Sequence, residues 1–319
     1  MSVRLTPLSL ALQGGGAHGA FTWGVLDRLL EEDVTIRAIS GTSAGALNAV
    51  ALASGLLADG RAGARSSLDL LWRTISGLTP LQLSAGPFGR FGLGLATHLF
   101  SPYQLNPIGL DPLGDALAQI IDFAGLRAAD LPRLLIAATN AKSGALKIFE
   151  NSELSAAAVM ASACLPQLFR AVEIDGESYW DGGFTSNPPI VALARAMPAH
   201  PILLVRIEPI EIQDVPRRAD AIRARVAQLA FAQPLVRELL ELERLQTLLP
   251  PSLGLLSREL RELRRNRITT INAGDSIRRL DPATRFVPDW SLVCNLRDAG
   301  RAAAEAWLAG EARHLVTAW

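Results

Sequence analysis

The strongest constraint on the fold is an alternation in the N-terminal part of the chain. Leu8–Leu12 reads as a short buried strand, and Gly14, Gly15, Gly16 and Gly19 follow it at once. A helix is expected near Ala20–Glu32, a second strand over Thr35–Ser40, a tight turn over Gly41–Gly45, and a small-residue helix over Ala46–Leu57. Strand, glycine loop, helix, strand, glycine turn, helix predicts a parallel sheet covered by helices. The length of 319 residues suits one large α/β domain, or a large domain with a smaller one.

The rest of the chain extends this pattern. Asp69–Ser76 and Leu113–Ile121 read as helical, and Leu134–Ala138 as a strand. Ala145–Phe149 is another strand, joined to it through Asn140–Gly144 as a hairpin. Leu154–Ala163 is a small-residue helix, and Val172–Ile174 and Ser178–Trp180 flank the turn Asp175-Gly176 as a second hairpin. Pro201–Ile207 is a strong strand. Between Gly77 and Leu113 the pattern dissolves into an apolar, Gly- and Pro-rich stretch whose two readings are a lid and a plain connection packed on the core.

After Pro216 the character changes. Ile222, Val226 and Leu229 recur at helical spacing among Arg217, Arg218, Arg223 and Arg225. Pro234 should break this helix or start a new one, whose stripe is Leu235, Leu239, Leu242 and Leu245. A further helix over Ser257–Arg265, a last strand over Ile268–Asn272 and a helix over Asp298–Leu315 are expected. This divides the chain into a catalytic domain over 1–210 and a mostly helical C-terminal region over 211–319 packing on it. Besides such packing, the arginine-bearing helices read as a membrane-facing surface or a homodimer face.

Composition removes several functions. Lys plus Arg and Asp plus Glu number 31 each, so the footprint of a nucleic-acid binder is missing. Cys164 and Cys294 make neither a disulfide framework nor a metal site, which fits a reducing, cytoplasmic compartment. The four histidines are scattered, so no catalytic metal and no cofactor is expected. Met1–Leu12 is too short for a secretory signal. Ala38–Ala58 is uncharged and long enough to span a bilayer, but its Gly, Ser, Thr and Asn content reads better as a buried helix beside a sheet.

The chemistry is carried by three motifs. Gly41-Thr42-Ser43-Ala44-Gly45 is G-x-S-x-G between a predicted strand and a predicted helix. A turn that sharp needs small residues at Gly41 and Gly45 and lifts the Ser43 hydroxyl above the strand end as a nucleophile. Read blandly, it is a tight turn with a capping serine. The run from Gln13 to Ala20 offers backbone N–H groups that no side chain obstructs, as an oxyanion hole requires. Gly14, Gly16 and Gly19 also satisfy G-x-G-x-x-G, but a dinucleotide site needs an acidic residue after the second strand, where Ser40-Gly41 stands.

A serine nucleophile needs a base. His200 sits at the wrong end of a predicted strand, His314 lies on a helix near the C-terminus, and His18 precedes the nucleophile as a structural or rim residue. Asp181 is the better candidate: it follows a short strand, and Gly182 and Gly183 keep its surroundings open. On spacing alone it is also an ordinary β-turn aspartate.

Gly14-Gly15-Gly16-Ala17-His18-Gly19, Gly41-Thr42-Ser43-Ala44-Gly45 and Asp181-Gly182-Gly183, in that order, resemble the patatin-like phospholipases. Ala161–Pro166 and Asn187-Pro188 are similar to secondary signatures of that family, although Cys164 stands where a small residue is common. The resemblance spans Leu8 to about Ile207. It implies a three-layer α/β/α fold with a mainly parallel sheet, a Ser43–Asp181 dyad without a catalytic histidine, and an oxyanion hole from Gly14, Gly15 and Gly16, chiefly the last two. Ala44 is expected to join that hole. The implied activity is hydrolysis of lipid acyl esters, often at a membrane surface. An acyltransferase on the same dyad and a non-catalytic lipid- or nucleotide-binding protein stay open as alternatives.

Overall fold

The computed structural model describes residues 5–78, 101–106, 109–198, 200–212, 214–248 and 266–312. Its strands are β1 (Leu8–Leu12), β2 (Ile36–Gly41), β3 (Arg133–Asn140), β4 (Leu146–Glu150), β5 (Val172–Ile174), β6 (Glu177–Asp181), β7 (Ile202–Arg206) and β8 (Ile268–Asn272). The helices are α1 (Ala20–Leu29), α2 (Ala44–Gly77), α3 (Pro102–Leu105), α4 (Pro112–Ile120) and α5 (Phe123–Ala128). After them come α6 (Ala156–Ser162), α7 (Ile190–Ala196), α8 (Ala219–Leu248), α9 (Asp275–Arg278) and α10 (Trp290–Ala309).

The strands form one mixed, mostly parallel sheet in the order β5-β6-β3-β2-β1-β7-β8, with β4 pairing β3. β1, β2, β3, β7 and β8 run parallel, and β4 and β6 run antiparallel to β3. Side chains alternate across β1 as the pleat demands. Leu10 and Leu12 enter a core shared with α1, α2 and α10, whereas Ala11 enters a second core with Ile190, Leu193, Leu235 and Leu242 of α7 and α8. A sheet covered by helices on both faces is a three-layer α/β/α fold. β8 lies in residues 211–319 and completes the sheet beside β7.

Several local readings change. The helix expected at Ala46–Leu57 and the helical segment expected at Asp69–Ser76 are both present, as the two parts of α2 on either side of a break at Asp59 and Gly60, where the backbone leaves the helical region. Pro234 does not end its helix, which continues through it from Ala219 to Leu248. A proline lacks the N–H that would bond the carbonyl four residues back, but the helix tolerates the loss; in the turn before it the Phe231 carbonyl accepts the Asn187 side-chain amide at 3.1 Å. Leu235 and Leu242 are buried as their spacing implies, but Ile222 and Val226 are exposed. The last helix begins at Trp290, earlier than its expected start at Asp298. The helix expected at Ser257–Arg265 and most of the lid-or-connection stretch (79–100 and 107–108) lie outside the described residues. Among the described residues no helix is long and apolar enough to cross a membrane.

Candidate active site

Because β1, β2 and β7 are parallel, the glycine loop after β1, the serine turn after β2 and the segment after β7 emerge at one edge of the sheet. β2 reaches Gly41, which pairs with Ile136 of β3, and leads straight into α2. Ser43 joins the two with φ 55 and ψ −124, a left-handed conformation that a side-chain-bearing residue adopts only under constraint. The constraint is close packing. A Cβ at Gly45 would lie 2.0 Å from the Leu12 carbonyl oxygen, and one at Gly41 would lie 2.7 Å from the Gly45 carbonyl. The Ser43 N–H donates to Ser162 Oγ at 2.9 Å, and Thr42 Oγ1 donates to the Ser186 carbonyl at 2.9 Å. Ser43 is half-buried, so its hydroxyl remains reachable.

Sheet register brings Asp181 to this turn. β4 runs along one edge of β3 from Leu135 to Thr139, so β2 and β6 must share the other edge. β2 gives out opposite Ile136, and β6 takes over with Asp181 opposite Ala138. Asp181 is fixed through its backbone: its N–H donates to the Cys164 carbonyl at 2.8 Å, and its own carbonyl accepts Thr139 Oγ1 at 2.8 Å. Its side chain is buried. Oδ1 accepts the Gly183 N–H at 2.8 Å, while Oδ2 is buried without a hydrogen-bond partner. The Ser43 hydroxyl faces the carboxyl closely enough to favour its ionised form, although no bond of ordinary geometry ties it to Oδ2. Burial dominates over that hydroxyl and the Gly183 N–H, and pushes the carboxyl up to about 7.

The glycine loop completes the arrangement. A Cβ at Gly14 would lie 2.8 Å from Ser43 Cβ, so the loop presses on the serine turn. The Gly14 N–H donates to Asn187 Oδ1 at 2.7 Å and is therefore not a free donor. The N–H groups of Gly15, Gly16 and Ala44 have no intramolecular acceptor among the described residues. Gly16 has φ 59, and its neighbour is the Arg285 carbonyl, 2.3 Å from where a Cβ would stand. These features suit a site that attacks a carbonyl carbon and holds the resulting oxyanion.

The histidines stand apart from this chemistry. His18 Nε2 pairs with Thr284 Oγ1 at 2.8 Å, and burial, helped by the Arg285 charge, lowers its pKa to about 4. His200 precedes β7, at the amino end of that strand, beside the Pro198 carbonyl. His98 and His314 lie outside the described residues. Cys164 is no competing nucleophile, because burial pushes its thiol up to about 12.

Three supporting side chains escaped the sequence reading. Asn187 ties the glycine loop to α8, Ser162 receives the Ser43 amide, and Gln13 Oε1 accepts the N–H groups of Ile207 and Glu208 at 2.7 and 2.9 Å. All three sit inside the short motifs already singled out. What the motifs lacked was a partner for each. Glu238 had no local signal: from α8 it accepts the Val191 N–H at 2.8 Å and the Ser186 hydroxyl, and burial raises its pKa.

Comparison with known proteins supplies a family. Residues 10–194 match the family model described as patatin-like phospholipase. Among solved structures, VipD from Legionella pneumophila is similar at 17% identity and a TM-score of 0.39, covering 94% of this chain and 71% of that one. ExoU in its complex with SpcU, from the type III secretion system of Pseudomonas aeruginosa, is similar at 18% identity and a TM-score of 0.39. That match covers 96% of this chain and 52% of the other. Among curated proteins nothing matches.

Proposed function

We propose, from the premise that the chain belongs to the patatin-like phospholipase family, that it hydrolyses carboxylic esters of lipids through Ser43 and Asp181. Family membership implies lipid acyl hydrolysis. The observation that carries the assignment to these two residues is the Asp181 carboxyl, buried with one oxygen held and the other unpartnered, beside a serine in a left-handed turn.

Ser43 Oγ attacks the ester carbonyl carbon while its proton passes to Asp181. The carbonyl oxygen becomes an oxyanion held by the N–H groups of Gly15, Gly16 and Ala44. Gly14 acts as spacer and anchor, because Asn187 already holds its N–H. The tetrahedral intermediate collapses, and the alcohol departs with the proton from Asp181. Water then gives a proton to Asp181 as its oxygen attacks the acyl-enzyme carbonyl carbon, and when the second tetrahedral intermediate collapses Asp181 returns that proton to Ser43 Oγ, freeing the fatty acid, the serine and the ionised carboxylate. Gly41 and Gly45 permit the turn, while Gly182 and Gly183 keep the acid loop close. A Cβ at Gly182 would lie 2.2 Å from the Ala137 carbonyl.

The catalytic unit is residues 1–210, with 211–319 packed on it in a cytoplasmic protein. Exposed Ile222 and Val226 on α8, with Val215 84% exposed before it, support contact with a membrane surface. The same stripe is the face a homodimer would use.

Ser43→Ala should remove turnover of a short-chain chromogenic ester and labelling by a fluorophosphonate probe, while leaving the circular dichroism of the folded chain unchanged. Labelling that persists in this variant would place the nucleophile elsewhere. The base has its own signature. Asp181 must be ionised to accept the proton, so kcat/KM of the wild type should rise with pH through a midpoint near 7 and level off above it. A profile flat from about pH 5 to about pH 9 would exclude Asp181 as the titrating base.

A further inference from the structure

A loop of glycines cannot fix its own position. It has no side chains to pack, and its backbone has more freedom than any other sequence allows. Yet an oxyanion hole works only if its donors are already aimed when charge develops. Something outside the loop must hold it. Gly15 meets the Ile207 side chain, and His18, Glu208 and Arg285 line a cavity of about 230 Å³ beside the loop.

What crosses that space is a set of polar ties from the far end of the chain. The Arg285 carbonyl sits under Gly16, 2.3 Å from where a Cβ would be, so no other residue type fits between them. Thr284 Oγ1 pairs with His18 Nε2 at 2.8 Å. The Arg285 guanidinium reaches the buried Glu208 carboxylate, with Nη2 at 3.1 Å from Oε1 and 3.2 Å from Oε2. The N–H groups of Glu208 and Ile207 end on Gln13 Oε1, and Gln13 is the residue before Gly14. The ties therefore close a ring: Gln13 at the loop's start, Glu208 at the end of β7, Arg285, and Gly16 and His18 at the loop's far side. Glu208, Thr284 and Arg285 all lie beyond residue 194, where the family match stops.

We propose that Arg285 is a positioning residue for the glycine loop, locking Gly15 and Gly16 in their donor orientation through its carbonyl under Gly16 and its ion pair with Glu208. The proposal rests on the hydrolase reading for its catalytic consequence, but not for its structural one. Arg285 touches no reacting atom. It acts through the loop, so its loss should weaken oxyanion stabilisation and leave ground-state binding and the base alone.

Arg285→Met should lower kcat on a short-chain ester by roughly 10²-fold, the size of effect that misplacing a catalytic group produces. KM should stay within about twofold, as for an interaction made only in the transition state. The midpoint of the pH profile should stay near 7, because Asp181 is untouched. Only one guanidinium nitrogen, Nη2, contacts Glu208, so Arg285→Lys should restore most of the lost rate. The double variant Glu208→Gln/Arg285→Met should fall no further than Arg285→Met alone. Hydrogen exchange should quicken in Arg285→Met at the His18 amide, which donates to the Gly15 carbonyl within the loop, and stay as in the wild type at the Gly45 amide, which donates to the Thr42 carbonyl in the serine turn.

A folded Arg285→Met protein with wild-type kcat and unaltered loop exchange overturns the proposal, and so does a loss confined to KM. If the wild type neither turns over esters nor takes the fluorophosphonate, the hydrolase reading has failed, and the exchange measurement alone still decides whether Arg285 holds the loop. Should Arg285→Met not fold, Thr284→Val removes the His18 tie, along with the hydroxyl's local bond to the Asp281 carbonyl, and should quicken exchange at His18; no change there also overturns the brace.

Discussion

Alanine at Gly24 or at Gly300 should lower the melting temperature by roughly 3 °C. α1 and α10 cross with their backbones in contact. A Cβ at Gly24 would lie 1.8 Å from the Arg297 carbonyl oxygen, and one at Gly300 would lie 2.0 Å from the Phe21 carbonyl oxygen. Those are backbone atoms inside helices, so they cannot swing aside as a lysine tip could. The helices must part instead. Trp23 then loses its tilted contact with Trp290, whose ring centroid is 6.2 Å away, and the cluster of Arg301 with Asp27 and Glu31 is pulled apart. Overpacking of this kind costs about 3 kcal/mol. Alanine's better helix propensity returns about 1 kcal/mol, which leaves a clear net loss. Gly77→Ala is the control: nothing lies within 4 Å of its Cβ, so its melting temperature should stay level or rise slightly. Wild-type melting in both crossing variants would mean that the two helices do not meet at these glycines. Since α10 belongs to the C-terminal region and α1 follows the glycine loop, this crossing is also what joins the two halves of the site's support.

What could be read in the letters and what could not separates along one line. Ser43 was legible because its strain is local: a glycine, one residue, the serine, one residue and a glycine between strand and helix specify the turn by themselves. Asp181 was half legible. Its glycines showed an unobstructed acid, but its nearness to Ser43 comes from β6 replacing β2 along β3, a register that no local pattern prints. Asn187 and Ser162 lay in quoted motifs, yet their roles needed partners 173 and 119 positions away. The Glu208–Arg285 tie had no motif at all. Pro234 misled because the local rule weighs the lost bond alone, whereas the packing of Leu235 and Leu242 into the core holds the helix through it. Helical spacing over Ile222 and Val226 was real, but periodicity tells that a helix has a stripe, not which side the core lies on. Gly24 and Gly300 drew no notice, since a lone glycine in a helix reads as a cost until the second helix is in place.

Asp181→Asn should lower kcat/KM by roughly 10⁴-fold or more, and the same variant should be more stable than the wild type at neutral and alkaline pH. Both follow from one environment. Asparagine keeps the shape and can still accept the Gly183 N–H, but it presents an amide to Ser43 where a proton acceptor is required. Removing the base leaves only the oxyanion donors and binding to accelerate the reaction. The stability change has a definite sign. In the native state burial holds the carboxyl's pKa near 7, against an ordinary 3.8 when the chain is unfolded. Below both values the group is protonated in either state and has no effect. As pH rises from about 4 to about 7 the unfolded chain ionises first, so the native state loses up to about 4 kcal/mol relative to it, and above 7 the loss is constant. Asparagine does not ionise, so the melting-temperature gap between variant and wild type should be small near pH 4, widen steadily to about pH 7, and stay level beyond. Ser43→Ala provides the contrast. It should lose turnover as thoroughly but keep the wild type's pH-dependent stability, because the buried carboxyl is still there. A gap between Asp181→Asn and wild type that does not change with pH would show that Asp181 is not held near 7, and the same carboxyl could then not serve as the base that the pH profile of the reaction reports.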